Sequence, residues 1–366
     1  MSNKFLKRVT DCIFIMLGSA CNLKCRYCLQ QCQTLPQLPN KINKDIYEFI
    51  RERAEENGEA QLSLQFYGGE PAIYFEKIRE VVENTKDIPN VVYSMISNGK
   101  AITEEMVRYF NEHEFFITIS WDGEASTNSR KYDAFKENKD TLFKIDKLGV
   151  SGVISAVNYP LEWYETVDKL SREYESVHGT ALNVNMDYIF DTGITDKELI
   201  EQLDYDKLYL QGQELAKNCI QVIENGMDAT SISFRAIKKI LNMLGGYYSN
   251  DTPRRKSVAY ASCGNGYNVL NMDLGGNLYA CHNIFESCGS IYSPYFRFLA
   301  DIIDQDNSVL VGKNCNSCVA MAVCHGGCKL LSKEQKEKTG YCKIRKAFVG
   351  GIIEEVRKYG SERNSQ

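Results

Sequence analysis

The sequence predicts an α/β fold: a partial (β/α)6 barrel of the TIM type, followed by a small cysteine-rich C-terminal domain. From residue 11 to about 190, short apolar strand candidates alternate with amphipathic helical stretches, the pattern of βα units and a parallel sheet. Each connection is long enough for a right-handed return to the sheet. After residue 263 cysteines become dense and regular periodicity falls.

The six predicted strands are stretches of strand length rich in apolar and β-branched residues, at 12–17, 62–67, 91–96, 115–121, 152–157 and 182–188. Between them, helices are predicted at 43–58, 74–87, from Thr103 onward, 137–149 and 162–177. Asn43 and Gly58 are suited to begin and end the first of these helices. In such a barrel the functional loops follow the carboxyl ends of the strands.

The remainder of the chain is predicted as a helical connector and a second domain. Residues 196–247 are mostly helical, 250–257 form a linker, and a β-hairpin turns at Gly275 and Gly276. A closing helix is predicted over 343–360, weakened by two central glycines. The predicted domains are 1–195 (barrel), 196–254 (helical connector), 255–345 (cysteine-rich domain) and 346–366 (terminal helix and tail).

Composition excludes several classes of protein. The chain has 366 residues, of which 43% are hydrophobic and 25% charged, with a formal net charge of -5. This is ordinary for a globular protein and gives no basic footprint for nucleic acid. We find no run of about 18 apolar residues that predicts a membrane span. The 14 cysteines, set close together, favour metal binding over disulfides, and we expect a cytoplasmic protein.

The amino terminus allows a second interpretation. Lys4, Lys7 and Arg8 precede an apolar run that ends at Cys21, which is similar to a signal peptide. Asp11 interrupts the pattern, however, and the apolar run is short. A buried first strand is therefore the favoured interpretation.

The first cysteine motif follows the first predicted strand. Cys21, Cys25 and Cys28 have the spacing C-x3-C-x2-C, which supplies three thiolates from one loop. A 4Fe-4S cluster usually takes four cysteines, so one iron would remain open to another ligand. The alternatives are a zinc knuckle completed by Cys32 and a group of buried free thiols.

The second predicted strand ends in the sequence QFYGGEP. Its Gly68, Gly69 and Glu70 fall at the carboxyl end of the strand, where a backbone can approach a ligand closely and a carboxylate can hold an amine. Alone, this motif is a weak turn signal.

Together, CNLKCRYC, with Tyr27 before its last cysteine, and GGEP on the next strand resemble the radical S-adenosylmethionine (SAM) superfamily, over residues 11 to 190. The resemblance implies that Cys21, Cys25 and Cys28 hold the cluster and that SAM binds its open iron. Reductive cleavage of SAM then gives a 5'-deoxyadenosyl radical, which abstracts hydrogen from the substrate.

The resemblance also implies SAM contacts at the ends of other strands. Gly68, Gly69 and Glu70 would contact the methionine amine, while Ser120 and Asp122 would bind ribose hydroxyls. Ser97 and Asn98 could be ligands or a plain turn, and Arg130 could reach the carboxylate, although a solvated surface arginine is favoured. The adenine would lie near Val157 and Asn158.

The second cysteine constellation runs through the last 100 residues. Its order is one cysteine, G-x4-C, C-x2-C-x5-C-x3-C and a final cysteine, and its members are Cys263, Cys281, Cys315, Cys318, Cys324, Cys328 and Cys342. This order resembles the SPASM domain of peptide-modifying radical SAM enzymes. Zinc ribbons are the alternative.

The SPASM resemblance implies two auxiliary 4Fe-4S clusters, and therefore three clusters in all. The distal one would use Cys315, Cys318, Cys324 and Cys342. The proximal one would use Cys263, Cys281 and Cys328, which leaves it one ligand short. Either Cys288 completes it, or an iron stays open to water or a substrate thiolate.

Three further residues fall outside these patterns. Cys12 and Cys219 are expected to be buried free thiols. His282 directly follows Cys281, and a structural role in the hairpin is favoured over one facing the substrate.

These resemblances predict a radical SAM oxidoreductase that matures a precursor peptide or protein through a thioether or carbon-carbon crosslink. The first alternative is the anaerobic sulfatase-maturating enzymes, which form formylglycine. They carry an aspartate where this chain has His282. A small-molecule dehydrogenase or epimerase and a zinc-stabilised scaffold protein are the remaining alternatives.

The expected partners are the peptide substrate and an external electron donor of the flavodoxin or ferredoxin type. Only 20 residues precede the first cysteine motif, so we expect no amino-terminal leader-binding domain. A leader would bind along a sheet edge by strand addition, or to a separate protein.

Overall fold

The structure is a computed structural model. It describes residues 10–32, 38–189, 191, 193, 195–226, 231–248, 268–294, 297–298, 300, 315, 317–328, 331–338 and 340–363. Cys263 and most of the predicted linker lie outside these residues, as does the Cys32 side chain.

The described elements alternate strands and helices before a mixed carboxyl-terminal part. The strands are β1 Cys12–Met16, β2 Leu62–Tyr67, β3 Val91–Ser97, β4 Phe116–Ser120, β5 Leu148–Ile154, β6 Asn183–Tyr188, β7 Val269–Asp273, β8 Asn277–Tyr279 and β9 Ser287–Ser290. The helices are α1 Asp45–Asn57, α2 Phe75–Glu83, α3 Glu104–Glu112, α4 Ser126–Ser129, α5 Ala134–Glu137, α6 Lys139–Leu142, α7 Pro160–His178, α8 Glu198–Glu201, α9 Tyr205–Glu224, α10 Ile232–Tyr248, α11 Met321–Cys324, α12 Lys333–Lys338 and α13 Tyr341–Arg363.

The chain forms two compact units. The first comprises Met1–Trp121, Arg130–Val150 and Cys263–Asp306, and the second comprises Asp122–Ser129, Ser151–Ser262 and Asn307–Gln366. The predicted domain boundaries divide the chain differently and stay a prediction.

The first unit is built on a sheet in which β4, β3, β2, β1, β7, β8 and β9 follow one another. β1 lies parallel to β2 on one side and to β7 on the other, and β2, β3 and β4 continue the parallel order. β8 and β9 are antiparallel additions. The predicted α/β fold with a parallel sheet is confirmed.

The two faces of this sheet differ because side chains alternate along each strand. One face is fully buried and carries the apolar side chains of Ile13, Ile15, Leu62, Leu64, Phe66, Met95, Ile117 and Ile119. The helices contribute further core residues, namely Ile46, Ile50, Ile78, Val81, Val107 and Phe110. On the opposite face the half-buried residues include Phe14, Gln65, Tyr67 and Thr118.

Local sequence signals set several helix boundaries. The Thr103 side chain accepts a hydrogen bond from Met106 N and caps α3, while Pro160 stands in the first turn of α7. α1 ends before Gly58 as predicted. Asn43 accepts from Asp45 N at 3.1 Å, but Lys44 is the residue at the helix start.

One predicted element is wrong. A helix was expected over 137–149, but the structure has two one-turn helices there and begins β5 at Leu148. The Lys147 carbonyl already accepts a hydrogen bond from Ile117 N of β4. Pairing with a neighbouring strand therefore overrides the helical spacing of Leu142, Ile145 and Leu148.

The predicted hairpin forms between β7 and β8. Asp273, which is fully buried, organises its turn by accepting hydrogen bonds from Gly275 N, Asn277 N and the Tyr279 hydroxyl at 2.8–3.0 Å. β7 also continues the parallel sheet beside β1, and β9 adds a third strand to the hairpin; neither feature was predicted from the sequence.

In the second unit, α9 packs closely against α13. A Cβ at Gly351 would lie 2.0 Å from the Tyr209 carbonyl oxygen, and one at Gly212 would lie 2.3 Å from the Phe348 carbonyl oxygen. Gly351 therefore serves close packing, and the predicted terminal helix runs through it without interruption. None of the described helices is both long and apolar enough to cross a membrane.

Replacing Gly351 by alanine should destabilise the protein by about 2 kcal/mol, because overpacking a tight contact costs about 1–3 kcal/mol. Urea denaturation followed by circular dichroism measures this. Gly360→Ala on the same helix is the matched control. A Cβ there meets no atom within 4 Å, so that variant should gain about 0.5–1 kcal/mol. Equal stability of Gly351→Ala and wild type would contradict the packing argument.

Candidate functional site

The three-cysteine loop leaves the carboxyl end of β1. Cys21 is exposed, whereas Cys25 and Cys28 are half-buried. The Cys25 thiol contacts the Arg130 carbonyl oxygen at 3.8 Å. Burial raises the pKa of Cys21, and the nearby Glu70 and Cys28 raise it further.

The GGEP segment at the end of β2 holds this loop by its backbone. Gly69 N donates to the Gly18 carbonyl at 3.0 Å, and Glu70 N donates to the Ala20 carbonyl at 2.9 Å. A Cβ at Gly69 would lie 2.2 Å from the Ala20 oxygen. Only glycine permits this approach, so the two motifs form one structural unit.

The Glu70 carboxylate joins the end of β2 to the end of β3. Glu70 is 1% exposed and accepts from Ala72 N at 3.0 Å, from the Ser97 hydroxyl at 2.6 Å and from Asn98 N at 2.7 Å. Burial raises the pKa of Glu70, and these hydrogen bonds lower it. The direct contact of Glu70 with an amine stays a prediction.

Asn98 turns back toward the cysteine loop. Its Nδ2 donates to Asn22 Oδ1 at 2.7 Å and contacts Cys21 Sγ at 3.9 Å, while Leu23 N contacts the same sulfur at 3.4 Å. Asn98 Oδ1 also accepts from Lys100 N. The turn and ligand interpretations of Ser97 and Asn98 are therefore compatible.

Arg130 departs from expectation. It was favoured as a solvated surface residue, but it is only 8% exposed and its guanidinium lies 5.3 Å from the centre of the Tyr27 ring. The expectation of a surface arginine is wrong because this cation packs on the buried aromatic residue of the motif.

The chemistry of the donor set tests whether the loop fits an iron-sulfur cluster. Within the described ranges, no three His, Cys, Asp or Glu side chains are already grouped to hold a metal ion. The loop nevertheless supplies three thiols, and the amides of Leu23 and Asn98 contact Cys21 Sγ. N–H contacts to sulfur are characteristic of iron-sulfur ligands, so the residues fit the cluster.

The other SAM candidates have mixed surroundings. Ser120 is half-buried at the end of β4. In the second unit, Asp122 is 1% exposed and accepts from the Ser129 hydroxyl at 2.6 Å and Val153 N at 2.9 Å. Val157 is 38% exposed. Roles for Ser120, Asp122 and Val157 toward SAM stay predictions.

The structure places four of the predicted auxiliary-cluster cysteines in the second unit, and we call Cys315, Cys318, Cys324 and Cys342 the distal group. Burial raises the pKa of Cys324, and the other three thiols raise it further. Arg345 opposes this and lowers the pKa. Burial raises the pKa of Cys342 as well, and Cys315 and Cys318 raise it further. The distal ligand set stays a prediction.

The predicted proximal set is described in part. Cys281 is buried in the first unit and its sulfur accepts from Asn283 N at 3.5 Å, while Cys328 N in the second unit donates to the Tyr341 hydroxyl. Cys288 contacts the Leu278 carbonyl at 3.6 Å. The ligand set, including a role for Cys288, stays a prediction.

His282 packs between aromatic rings. It stacks on Phe14 with centroids 4.2 Å apart and meets Tyr67 edge-on at 4.5 Å. Burial lowers the pKa of His282 to about 4, so the ring is neutral near pH 7. Its Nδ1 atom is buried and has no hydrogen-bond partner among the described residues.

Two predicted free thiols are also placed. Cys219 is buried and contacts the Phe234 carbonyl at 3.8 Å, and Cys12 is half-buried near Gln65 Oε1 at 3.9 Å.

Comparison with known proteins decides the family. Residues 15–172 match the Radical SAM superfamily. The chain carries a radical SAM domain. It is an enzyme of that superfamily.

Relatives of this radical SAM enzyme carry two kinds of name. The chain is 21% identical over 385 residues to the radical SAM cyclopropyl synthase TigE of Paramaledivibacter caminithermalis, covering 93% of this chain and 74% of TigE. It is 24% identical over 380 residues to a cysteine-type anaerobic sulfatase-maturating enzyme of Clostridium perfringens, covering 90% and 93% of the two chains.

Solved structures show the same fold. Native anSMEcpe with bound AdoMet superposes with a TM-score of 0.66 at 17% identity, covering 97% of this chain and all of that one. Streptococcus suis SuiB bound to the precursor peptide SuiA gives a TM-score of 0.59 at 16% identity, covering 89% and 74%.

Two cations of the second unit, Lys336 and Arg345, were not singled out from the sequence. Arg345 is three residues beyond Cys342 on α13, a spacing that places both on one helix face. That spacing was available from the sequence. No comparable signal marked Lys336, whose burial depends on tertiary packing.

Glu70→Gln should destabilise the enzyme by about 2 kcal/mol, because an NH2 group would then face donors that now share a buried carboxylate. Urea denaturation of the purified protein measures the change. Glu76→Gln is the control. Glu76 is 82% exposed in its ion pair with Arg79, so the control should shift stability by less than about 0.5 kcal/mol. Equal effects of the two substitutions would contradict a joining role for Glu70.

Proposed function

We propose that this radical SAM enzyme oxidatively modifies a side chain of a peptide or protein, forming a thioether or carbon-carbon crosslink. The observation that carries the proposal is that one chain supplies two sets of thiols. The first is the three-thiol loop fixed to GGEP, and the second is the distal group of four thiols. The first arrangement suits radical generation. The second suits an auxiliary cluster that accepts or relays the electron released on product formation.

In this proposal Cys21, Cys25 and Cys28 hold a 4Fe-4S cluster and leave one iron for SAM. When bound, this cluster and SAM supply the 5'-deoxyadenosyl radical. The chain orients them: Glu70 fixes the ends of β2 and β3 relative to each other, and Asn98 contacts a ligating sulfur. Backbone groups of Gly68 and Gly69 remain the candidates for contact with the methionine amine.

The auxiliary sites are proposed on the residues of the SPASM pattern. The distal group would hold one 4Fe-4S cluster, and Cys263, Cys281 and Cys328 would hold the other. Support comes from the order and spacing of these cysteines in the sequence. An external flavodoxin- or ferredoxin-type protein would supply the reducing electron.

The names of similar proteins support the proposal of a peptide substrate. SuiB was solved with a precursor peptide, and TigE is named as a radical SAM cyclopropyl synthase. Leader binding is proposed along a sheet edge by strand addition, or on a separate protein.

Formylglycine formation in a sulfatase is an equally supported second candidate. The similarity to a sulfatase-maturating enzyme covers 90% of this chain. The sequence difference at this site is His282 in place of the aspartate of those enzymes. That ring is neutral and enclosed by Phe14 and Tyr67, an environment unlike that of an anionic carboxylate.

The variant Cys25→Ala should lose SAM cleavage while keeping its auxiliary clusters, because it removes one thiol of the radical loop only. Anaerobically purified wild type should be brown and hold about twelve iron atoms, and the variant about eight. Iron analysis and chromatographic assay of 5'-deoxyadenosine measure the two effects. Undiminished 5'-deoxyadenosine in the variant would refute the cluster assignment. Colourless wild type with zinc and no iron would favour a scaffold protein.

Incubation with reductant, SAM and candidate substrates should distinguish the two functions. The candidates are short peptides encoded beside this gene and a peptide containing a sulfatase active-site motif. We expect the peptides encoded beside the gene to lose the mass of two hydrogen atoms, as measured by mass spectrometry. They should gain no reactivity toward a hydrazine probe. The Cys25→Ala enzyme is the control. Hydrazine-reactive product from the sulfatase peptide, with the others unchanged, would instead establish formylglycine formation.

A further inference from the structure

A short segment of the first unit, residues 17–20, joins β1 to the cysteine loop, and we call it the tether. Backbone contacts hold part of it. Leu17 N donates to the Tyr67 carbonyl at 2.9 Å, and the Gly18 and Ala20 carbonyls accept from the GGEP amides. Two further groups of the tether, the Leu17 carbonyl and the Ala20 amide, are bound by side chains instead.

Tyr74 binds the end of the tether that leads into Cys21. The Tyr74 hydroxyl accepts a hydrogen bond from Ala20 N at 2.9 Å. The Tyr74 ring also fills the space beside Gly18, where a Cβ would lie 2.3 Å from the ring carbon Cζ. Because Ala20 is exposed, water could replace the hydroxyl with little loss of stability. The hydroxyl differs from water in that it fixes the position of this amide.

Lys77 binds the other end of the tether. It lies on α2, and its Nζ atom donates to the Leu17 carbonyl at 3.2 Å. The same atom lies 4.9 Å from the centre of the Tyr74 ring, a distance at which a cation and an aromatic ring attract. Tyr74 itself ends a one-turn helix, Pro71–Tyr74, that is capped by the Glu70 carboxylate. GGEP and these two side chains therefore support the tether together.

We propose that Tyr74 and Lys77 are positioning residues for SAM binding, because they hold the cysteine loop beside GGEP before SAM arrives. The inference rests on the proposed function, in which SAM binds the open iron and contacts GGEP. A protein that adopts its binding-competent arrangement only part of the time has an apparent affinity reduced by that fraction. Loss of one side-chain hydrogen bond to the tether should therefore weaken SAM binding. It should not remove the cluster, because every thiol is kept.

The test is a titration of SAM into the full-length, iron-loaded and reduced enzyme, followed by EPR. SAM binding to the open iron changes the signal of the radical cluster, which is identified as the signal that Cys25→Ala lacks. Tyr74→Phe removes the hydroxyl and keeps the ring. Lys77→Met removes the donor, while Lys77→Arg keeps a donor and the charge. Tyr47→Phe is the matched control, because that hydroxyl donates to the exposed Glu80 at 3.5 Å.

We expect Tyr74→Phe and Lys77→Met to raise the apparent Kd of SAM about threefold to tenfold, the range that corresponds to one hydrogen bond. Their iron content should equal that of wild type. Lys77→Arg and Tyr47→Phe should bind SAM as wild type does. Wild-type SAM affinity in both Tyr74→Phe and Lys77→Met would overturn the inference. So would equal weakening in Lys77→Met and Lys77→Arg, because that result indicates packing rather than the hydrogen bond to the tether.

Hydrogen–deuterium exchange without SAM gives a second readout. A proteolytic fragment that contains the tether should exchange faster in Tyr74→Phe than in wild type, and unchanged exchange would also overturn the inference. If Lys77→Met loses the radical cluster, Tyr74→Phe decides the test, since its ring still fills the space beside Gly18. Failure of the proposed function has a different signature. Wild type would then show no EPR signal that Cys25→Ala removes and no response to SAM.

Discussion

The close backbone contact between the cysteine loop and GGEP is the constraint on which the site depends. Two hydrogen bonds, from Gly69 N to Gly18 and from Glu70 N to Ala20, bind loops that follow neighbouring parallel strands. Because β1 and β2 are parallel, both loops leave the same edge of the sheet. A side chain at Gly69 would separate them. The three cysteines can therefore bind one shared ligand beside GGEP only if this backbone contact is intact.

The fold could be read largely from the sequence wherever local signals agreed with tertiary packing. β2 was predicted at its observed bounds, because alternating apolar residues also alternate in burial. The failure at 137–149 arose where strand pairing through Lys147 outweighed helical spacing. The parallel pairing of β7 with β1 joins segments more than 250 residues apart, and no local pattern encodes such a pairing.

The site was predictable in composition but less so in arrangement. Cysteine spacing marked the three-thiol loop, because covalent proximity limits where such thiols can go. The partners of Glu70 could not be anticipated: its three hydrogen bonds come from Ala72, Ser97 and Asn98, and two of these lie on another strand end. Arg130 was misjudged because a cation–π contact with Tyr27 buries it. Side-chain packing of this kind produces no recognisable pattern of residue positions in the sequence.

The two cysteine sites differ in what surrounds their sulfur atoms. At the radical loop, burial raises the pKa of Cys21, and the amides of Leu23 and Asn98 contact its sulfur. In the distal group, burial raises the pKa of Cys324, whereas Arg345 lowers it. Because net charge and hydrogen bonds to sulfur set the reduction potential of an iron-sulfur cluster, the two proposed clusters would differ in potential. The proposed reaction needs such a difference, since one cluster would reduce SAM and the other would accept an electron from the substrate radical.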